Sequence, residues 1–181
     1  MKKLEERIFV HVYNRGGDGR DVFMDNYDQD RFLQGIQEFN NTKPIGSIYE
    51  NSFRKKQLGG STSKLKEDKE GKLVNIICYC LNPNHYHLVL EELVEGGISK
   101  FMHSLGTGYT MFFNEKYSRS GSLFQGRYKR IIIDSNEYLL HLSVYGNLNN
   151  RVHGIKDNLI QSSWLEYTTD YGEGICEKDI I

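Results

Sequence analysis

Two short patterns in this 181-residue chain bring reactive side chains into register. The first is His85-Tyr86-His87, inside Asn82-Pro83-Asn84-His85-Tyr86-His87-Leu88. Side chains alternate along a strand, so His85 and His87 project from one face while Tyr86, Leu88 and Leu90 project from the other. Two imidazoles side by side can take a divalent cation, because neutral imidazole is the commonest transition-metal ligand. Two solvent-facing histidines would have the same spacing, and spacing alone leaves both readings open. The second pattern is His141, Tyr145 and Asn149, which recur every four residues. On a helix such residues are stacked neighbours, with Cβ atoms ~5–6 Å apart. A phenol and an amide oxygen could converge on one point there, or Tyr145 could cover a core edge and Asn149 cap the helix.

These patterns need elements to hold them. Residues 7–13 (RIFVHVY) alternate with the period of a strand. The glycine-rich stretch Asn14 to Arg20 lacks the lysine and Ser/Thr of a phosphate-cradling loop and reads as a turn, with Arg15 available to nucleic acid. Phe32, Leu33, Ile36 and Phe39 predict a helix from Asp28 to about Asn41, ended before Pro44. Residues 54–72 hold only two large apolar side chains, Leu58 and Leu65, with seven basic and three acidic residues. They are expected to form a mobile loop or a flexible basic arm, within an insert over 44–72. Residues 73–81 (LVNIICYCL) and 85–91 (HYHLVLE) read as two strands paired through the Asn82-Pro83-Asn84 turn. Ile98 to Tyr117 has helical spacing, Arg119 to Arg130 reads as a basic loop or extended segment, and Asp134 with Glu137 resembles a capping box opening a helix over Asn136–Asn149. Strands separated by helices, with one hairpin, predict an α+β fold with helices packed on an antiparallel sheet.

Composition sets bounds on the partners. The net charge is −1, which argues against a protein that coats nucleic acid indiscriminately, yet Lys100 to Arg130 carries six basic residues against one acid. A local basic excess beside acidic flanks suits a localised anionic ligand. Three cysteines, Cys78, Cys80 and Cys176, lack metal-finger spacing and suggest neither a disulfide framework nor structural zinc. Cys78 and Cys80 are expected to be buried on one strand face. No apolar run reaches the ~18 residues of a membrane span. With no signal-peptide pattern at the N-terminus, a cytoplasmic location is expected, beside the nucleoid when DNA is bound.

The order of these segments resembles a known family. CLNPNHYHLVLE, then GISKFMHSLGTGYTMFFNEKYSRSGSLFQGRYKR, then EYLLHLSVYGNLN is similar to the REP-associated tyrosine transposases, which belong to the single-tyrosine HUH transposases. The likeness starts at His11-Val12-Tyr13-Asn14-Arg15-Gly16 and extends to residues 162–167 (SSWLEY). It implies a ferredoxin-like (RRM-like) central antiparallel sheet, Mg²⁺ or Mn²⁺ held by His85 and His87, Tyr145 as nucleophile and Asn149 as a third, amide ligand. Three positions depart from the family pattern: Asn150 stands where proline is frequent, Gly146 directly follows the tyrosine, and the middle residue of the H-x-H is the bulky, largely apolar Tyr86. The implied domain covers residues 1–160, with 161–181 as a tail.

The activity implied is transesterification of single-stranded or hairpin DNA through a 5′-phosphotyrosine. Arg127, Lys129 and Arg130 are expected on the DNA backbone together with Arg15 and Arg119, and Phe124 and Tyr128 against unpaired bases. Phe124 and Tyr128 could equally be core aromatics. Single-tyrosine relatives can build an active site from two chains, so a homodimer is a further expectation. The alternative is a hairpin-binding protein of the same ancestry without catalysis.

Overall fold

The alternating run near the N-terminus forms β1 (Phe9–Arg15). The computed structural model describes residues 7–57, 71–152, 159–169 and 174–180, with the side chains of 53–57 and 145–152 excepted. In it β1 lies in a five-stranded antiparallel sheet with β2 (Val74–Asn82), β3 (His85–Glu92), β4 (Lys129–Ile133) and β5 (Gln161–Ser162), in the order β4-β1-β3-β2-β5. The first four strands, with α1 (Asn26–Glu38) and α3 (Gly97–Lys116) packed on one face, form the expected ferredoxin-like arrangement. β5 adds a strand at the β2 edge, and α5 (Trp164–Thr168) follows it, so the stretch expected to be a tail contributes to the sheet. Ser163 and Tyr167 fasten it there by hydrogen bonds to the backbone of Tyr79 and Ile77.

The hairpin forms as its turn chemistry predicts. Asn82 faces His85 across a two-residue turn at Pro83-Asn84. This turn is gripped from outside. Gly16 N donates to Asn84 O at 2.9 Å, and Val22 N and Phe23 N both donate to Pro83 O. Gly16 has no substitute, since a Cβ there would lie 2.1 Å from the Arg20 carbonyl oxygen. The start of β3, where the histidines sit, is thereby tied to the end of β1.

A bulge in β2 decides what faces the histidines. The register slips between Ile76, opposite Leu90, and Cys78, opposite Val89. A one-residue slip moves every later side chain to the other face. Ile76 therefore lies in the core under α1 and α3, whereas Cys78 and the positions in phase with it, Cys80 and Asn82, turn to the histidine face. The two cysteines are buried as expected.

Two cores result. The larger holds Val10, Val12, Phe32, Tyr86, Leu88 and Leu90 against Phe101, Leu105 and Tyr109 of α3. Phe32 meets Tyr109 edge-on, with ring centroids 5.0 Å apart. Each such side chain contributes ~1.5–3 kcal/mol through burial. The smaller core lies under α4 (Asn136–Val152), where Leu139 and Leu142 pack on Phe9, Ile77, Val89 and Ile133.

Helix termini differ from expectation at two places. The cap of α4 is Ser135, whose Oγ accepts from Tyr138 N at 3.2 Å, and not Asp134: the helix begins at Asn136, which puts Ser135 in the capping position. A helix α2 (Ile48–Gln57) runs into the stretch expected to be a loop from residue 54. It opens with a reciprocal box, Glu50 N donating to Ser47 Oγ and Ser47 N to Glu50 Oε2. Residues 58–70 of the expected insert lie outside the described residues. No described helix is long and apolar enough to cross a membrane.

Candidate active site and nucleic-acid interface

Strand alternation puts His85 and His87 on the sheet face that α4 covers, while Tyr86, Leu88 and Leu90 enter the opposite core. The two rings stand 5.1 Å apart at 89°. Register then recruits a partner from β1. His11, opposite Val89, directs its ring at His87, and His11 Nε2 lies 2.9 Å from His87 Nδ1. Tyr13, opposite His87, stacks on the same imidazole at 5.8 Å. Burial, reinforced by the neighbouring His11 and His85, pulls His87 down to about 3, and burial lowers His11 as well. Both rings are therefore neutral near pH 7, the form that ligates metal. His11 engages Nδ1 of His87, leaving Nε2 as the nitrogen for a cation.

His85 is oriented by two asparagines. Its Nδ1 donates to Asn84 Oδ1 at 2.6 Å, and its Nε2 accepts from Asn82 Nδ2 at 3.2 Å. Asn82 is 2% exposed, and its Oδ1 is a buried oxygen without a hydrogen-bond partner. Such a group costs ~1–3 kcal/mol. Two neutral imidazoles beside an unpartnered amide oxygen suit a hard to borderline divalent cation. Among the described residues no set of three His, Cys, Asp or Glu side chains could hold a metal, so a third ligand drawn from those residues would be of another type. Burial pushes the Cys80 thiol up to about 12, which keeps it protonated beside Asn82.

Tyr145 and Asn149 fall within α4, but their side chains lie outside the described residues. The described part of that helix buries Leu139, Leu142 and Ser143, and Leu142 shares a small cavity with His11 and His87. His141, which opens the stripe, is exposed.

The basic segment divides between the two sheet faces. Lys129 pairs with Tyr13 and so shares the histidine face, where Arg15 pairs with His85. Arg130 turns the other way, into a cleft of about 800 Å³ between α3 and the 122–130 loop. Arg127, Tyr128 and Phe124 also line this cleft, whose floor includes Tyr86 and Asn14. Phe124 is 8% exposed and meets Tyr86 edge-on, so it forms wall rather than a projecting ring. Tyr128 is half-buried, and Arg127, Lys129 and Arg130 are exposed. Arg119 is engaged internally, donating to Asn114 Oδ1 at 2.7 Å and to Ser122 O. Lys116 likewise binds Asp25 and the fully buried Asp28. The cleft loop is stitched to β1, with Gln125 N donating to Arg15 O and Asn14 Nδ2 to Gly126 O.

Sequence reasoning missed His11 and Asn82. Both belong to patterns it had read, a strand and a turn, but what they face depends on strand register and on the bulge.

The family model described as "Transposase IS200 like" matches residues 46–145, which include both hairpin histidines and end on the helix tyrosine. No curated protein matches the chain. Among solved structures, a REP-associated tyrosine transposase bound to a REP hairpin aligns with a TM-score of 0.55, covering 94% of this chain and 84% of that one. At 13% identity that likeness is one of fold. With a family match over more than half its length, the chain belongs to the IS200-like family of single-tyrosine transposases.

Proposed function

We propose that this protein cleaves and rejoins single-stranded DNA at hairpin or repeat elements, with Tyr145 as nucleophile. The observation that carries the reading is the pairing of His85 and His87 on the one sheet face covered by α4, the helix to which Tyr145 belongs. His85 and His87 would hold Mg²⁺ or Mn²⁺, with Asn149 as a third ligand. When bound, the cation supplies Lewis-acid stabilisation of the charge that develops on the phosphate oxygens. Tyr145 Oη attacks the scissile phosphorus and loses its proton, the bond to the 3′ oxygen breaks, and that oxygen takes up a proton as a free hydroxyl. The 5′ phosphate stays on the tyrosine, and attack by a 3′ hydroxyl reverses the step without a nucleotide cofactor.

Binding is assigned to two groups of residues. Arg15 and Lys129, on the histidine face, are suited to the phosphates flanking the scissile bond. Arg127, Arg130 and Tyr128 suit a second stretch of strand in the cleft, the cations on phosphates and the tyrosine ring against a base. Hairpin substrates are favoured because the solved relative is bound to a REP hairpin.

The test is incubation of the full chain with end-labelled hairpin single strands and Mn²⁺. A protein–DNA band that survives denaturation is expected, and it should be absent for Tyr145→Phe. The separation of the cleft from the histidine face favours one second reading, a hairpin-binding protein without catalysis. Tight hairpin binding with no adduct under any divalent ion would select that reading.

A further inference from the structure

We propose that Asn82 is an additional cation ligand, its side-chain amide turning so that Oδ1 joins His85 and His87. The inference rests on the reading of those two histidines as a cation site.

Among the described residues, Asn82 Oδ1 is the one buried side-chain polar atom without a hydrogen-bond partner. Native proteins rarely bury a carbonyl oxygen unpaired unless a ligand or ion completes it. Its place is built by the bulge, since β2 without its slip would turn residue 82 into the apolar core. A polar side chain was thus brought to the histidine face at 2% exposure.

The orientation of the amide follows from its neighbours. Asn84 Oδ1 takes the proton on His85 Nδ1, so His85 Nε2 presents a lone pair, and Asn82 turns its NH₂ towards it at 3.2 Å. That contact suits the protein without a cation. A cation on Nε2 removes the lone pair and sets a positive charge beside an N–H donor, which repels it. A half-turn about Cβ–Cγ exchanges the two amide atoms and brings the oxygen to the His85 side. Nδ2 gives up a neutral bond and a long contact to Cys80 Sγ at 3.5 Å and takes the position the oxygen held, a cost that the oxygen–cation contact offsets. Amide oxygens are ordinary ligands for hard divalent ions. Asn82 thereby holds His85 in place when the site lacks a cation and ligates when the cation arrives.

Mn²⁺ titration calorimetry on the metal-free full-length protein tests this, paired with thermal melting in the absence of metal. Asn82→Leu should bind Mn²⁺ about tenfold or more weakly, and its melt without metal shows that it folds. Asn82→Asp keeps an oxygen and adds charge, so it should bind Mn²⁺ at least as tightly as the parent. Mn²⁺ affinity in Asn82→Leu that is unchanged or tighter, with His85→Ala losing it, overturns the inference: Asn82 would then only orient His85 or compete with the ion. Were Asn82→Leu not to fold, weaker binding by Asn82→Asp would overturn it equally. Retention of Mn²⁺ affinity in both His85→Ala and His87→Ala would instead remove the cation site itself, a failure of the underlying reading.

Discussion

On the α4 side of the sheet, His11, His85 and His87 are locked by their neighbours: Nε2 of one ring against Nδ1 of another at 2.9 Å, Asn82 and Asn84 on either edge of His85, Tyr13 stacked over His87. On the α3 side, Arg127 and Arg130 stand exposed at the rim of an open cleft, and Tyr128, half-buried against the larger core, has its hydroxyl 3.4 Å from that of Ser99. The contrast follows from the two tasks. Reacting atoms must be placed to within a fraction of an ångström, so their supports are short, mutual and buried. A polyanion is attracted over several ångströms, and the long side chains that meet it keep their freedom until it arrives. Removing one support should therefore cost much on the first face and little on the second.

The largest effect is expected at Tyr145. Tyr145→Phe should eliminate the covalent adduct on labelled hairpin DNA while leaving hairpin affinity and Mn²⁺ binding near those of the parent; a surviving adduct would move the nucleophile elsewhere, with Tyr138 the next candidate on α4. His87→Ala comes second. It removes a ligand and the partner of both His11 and Tyr13, and calorimetry should find Mn²⁺ affinity down by about 100-fold or more. Third is His11, which acts through His87. His11→Ala should weaken Mn²⁺ binding by about tenfold, and His11→Gln, whose amide oxygen can accept from Nδ1, should recover most of it. An effect of His11→Ala on DNA binding alone would break the separation of the two faces.

Smaller changes are expected at the cleft. Arg127→Ala with Arg130→Ala should lower affinity for single strands severalfold and reduce the slope of log affinity against log salt by ~0.7 for each phosphate that is no longer neutralised, with Mn²⁺ affinity unchanged. A drop in Mn²⁺ binding there would show that the faces communicate. The smallest effect concerns the thiols. Burial pushes Cys78 and Cys80 up to about 12, so both should resist alkylation in the folded protein at pH 8 and react only on unfolding. Prompt labelling of Cys80 would mean that the histidine face is looser than its hydrogen bonds indicate.

Several features were legible before folding because their causes are local. The hairpin was readable from the turn at Pro83-Asn84 between two β-branched runs, and α3 from Phe101, Leu105, Tyr109 and Phe113. The Ser47–Glu50 box is equally local, but it lies in a polar stretch with no apolar periodicity to mark a helix. β4 was harder, since its residues Lys129–Ile133 become a strand only because β1 offers a free edge. Composition adds Lys116 to the local basic excess and offers Arg119 to DNA, and only packing shows that Asp25 and Asp28 engage the first and Asn114 the second.

The sequence by itself determined that two histidines would share a strand face, that a tyrosine would follow on a helix, and that basic residues would gather between 119 and 130. Alternation and helical pitch are properties of the backbone, and they act over a few residues whatever the rest of the chain does. Only the tertiary structure decided that α4 would cover the histidine face, that β1 would bring His11 and Tyr13 to His87, and that Lys129 and Arg130 would part to opposite sides. It also decided, through one bulged residue in an apolar run, that Asn82 would meet His85. Register is set by which strands pair and where the pairing slips, and those are contacts between residues 11 apart, at the bulge, and 78 apart, between His11 and Val89.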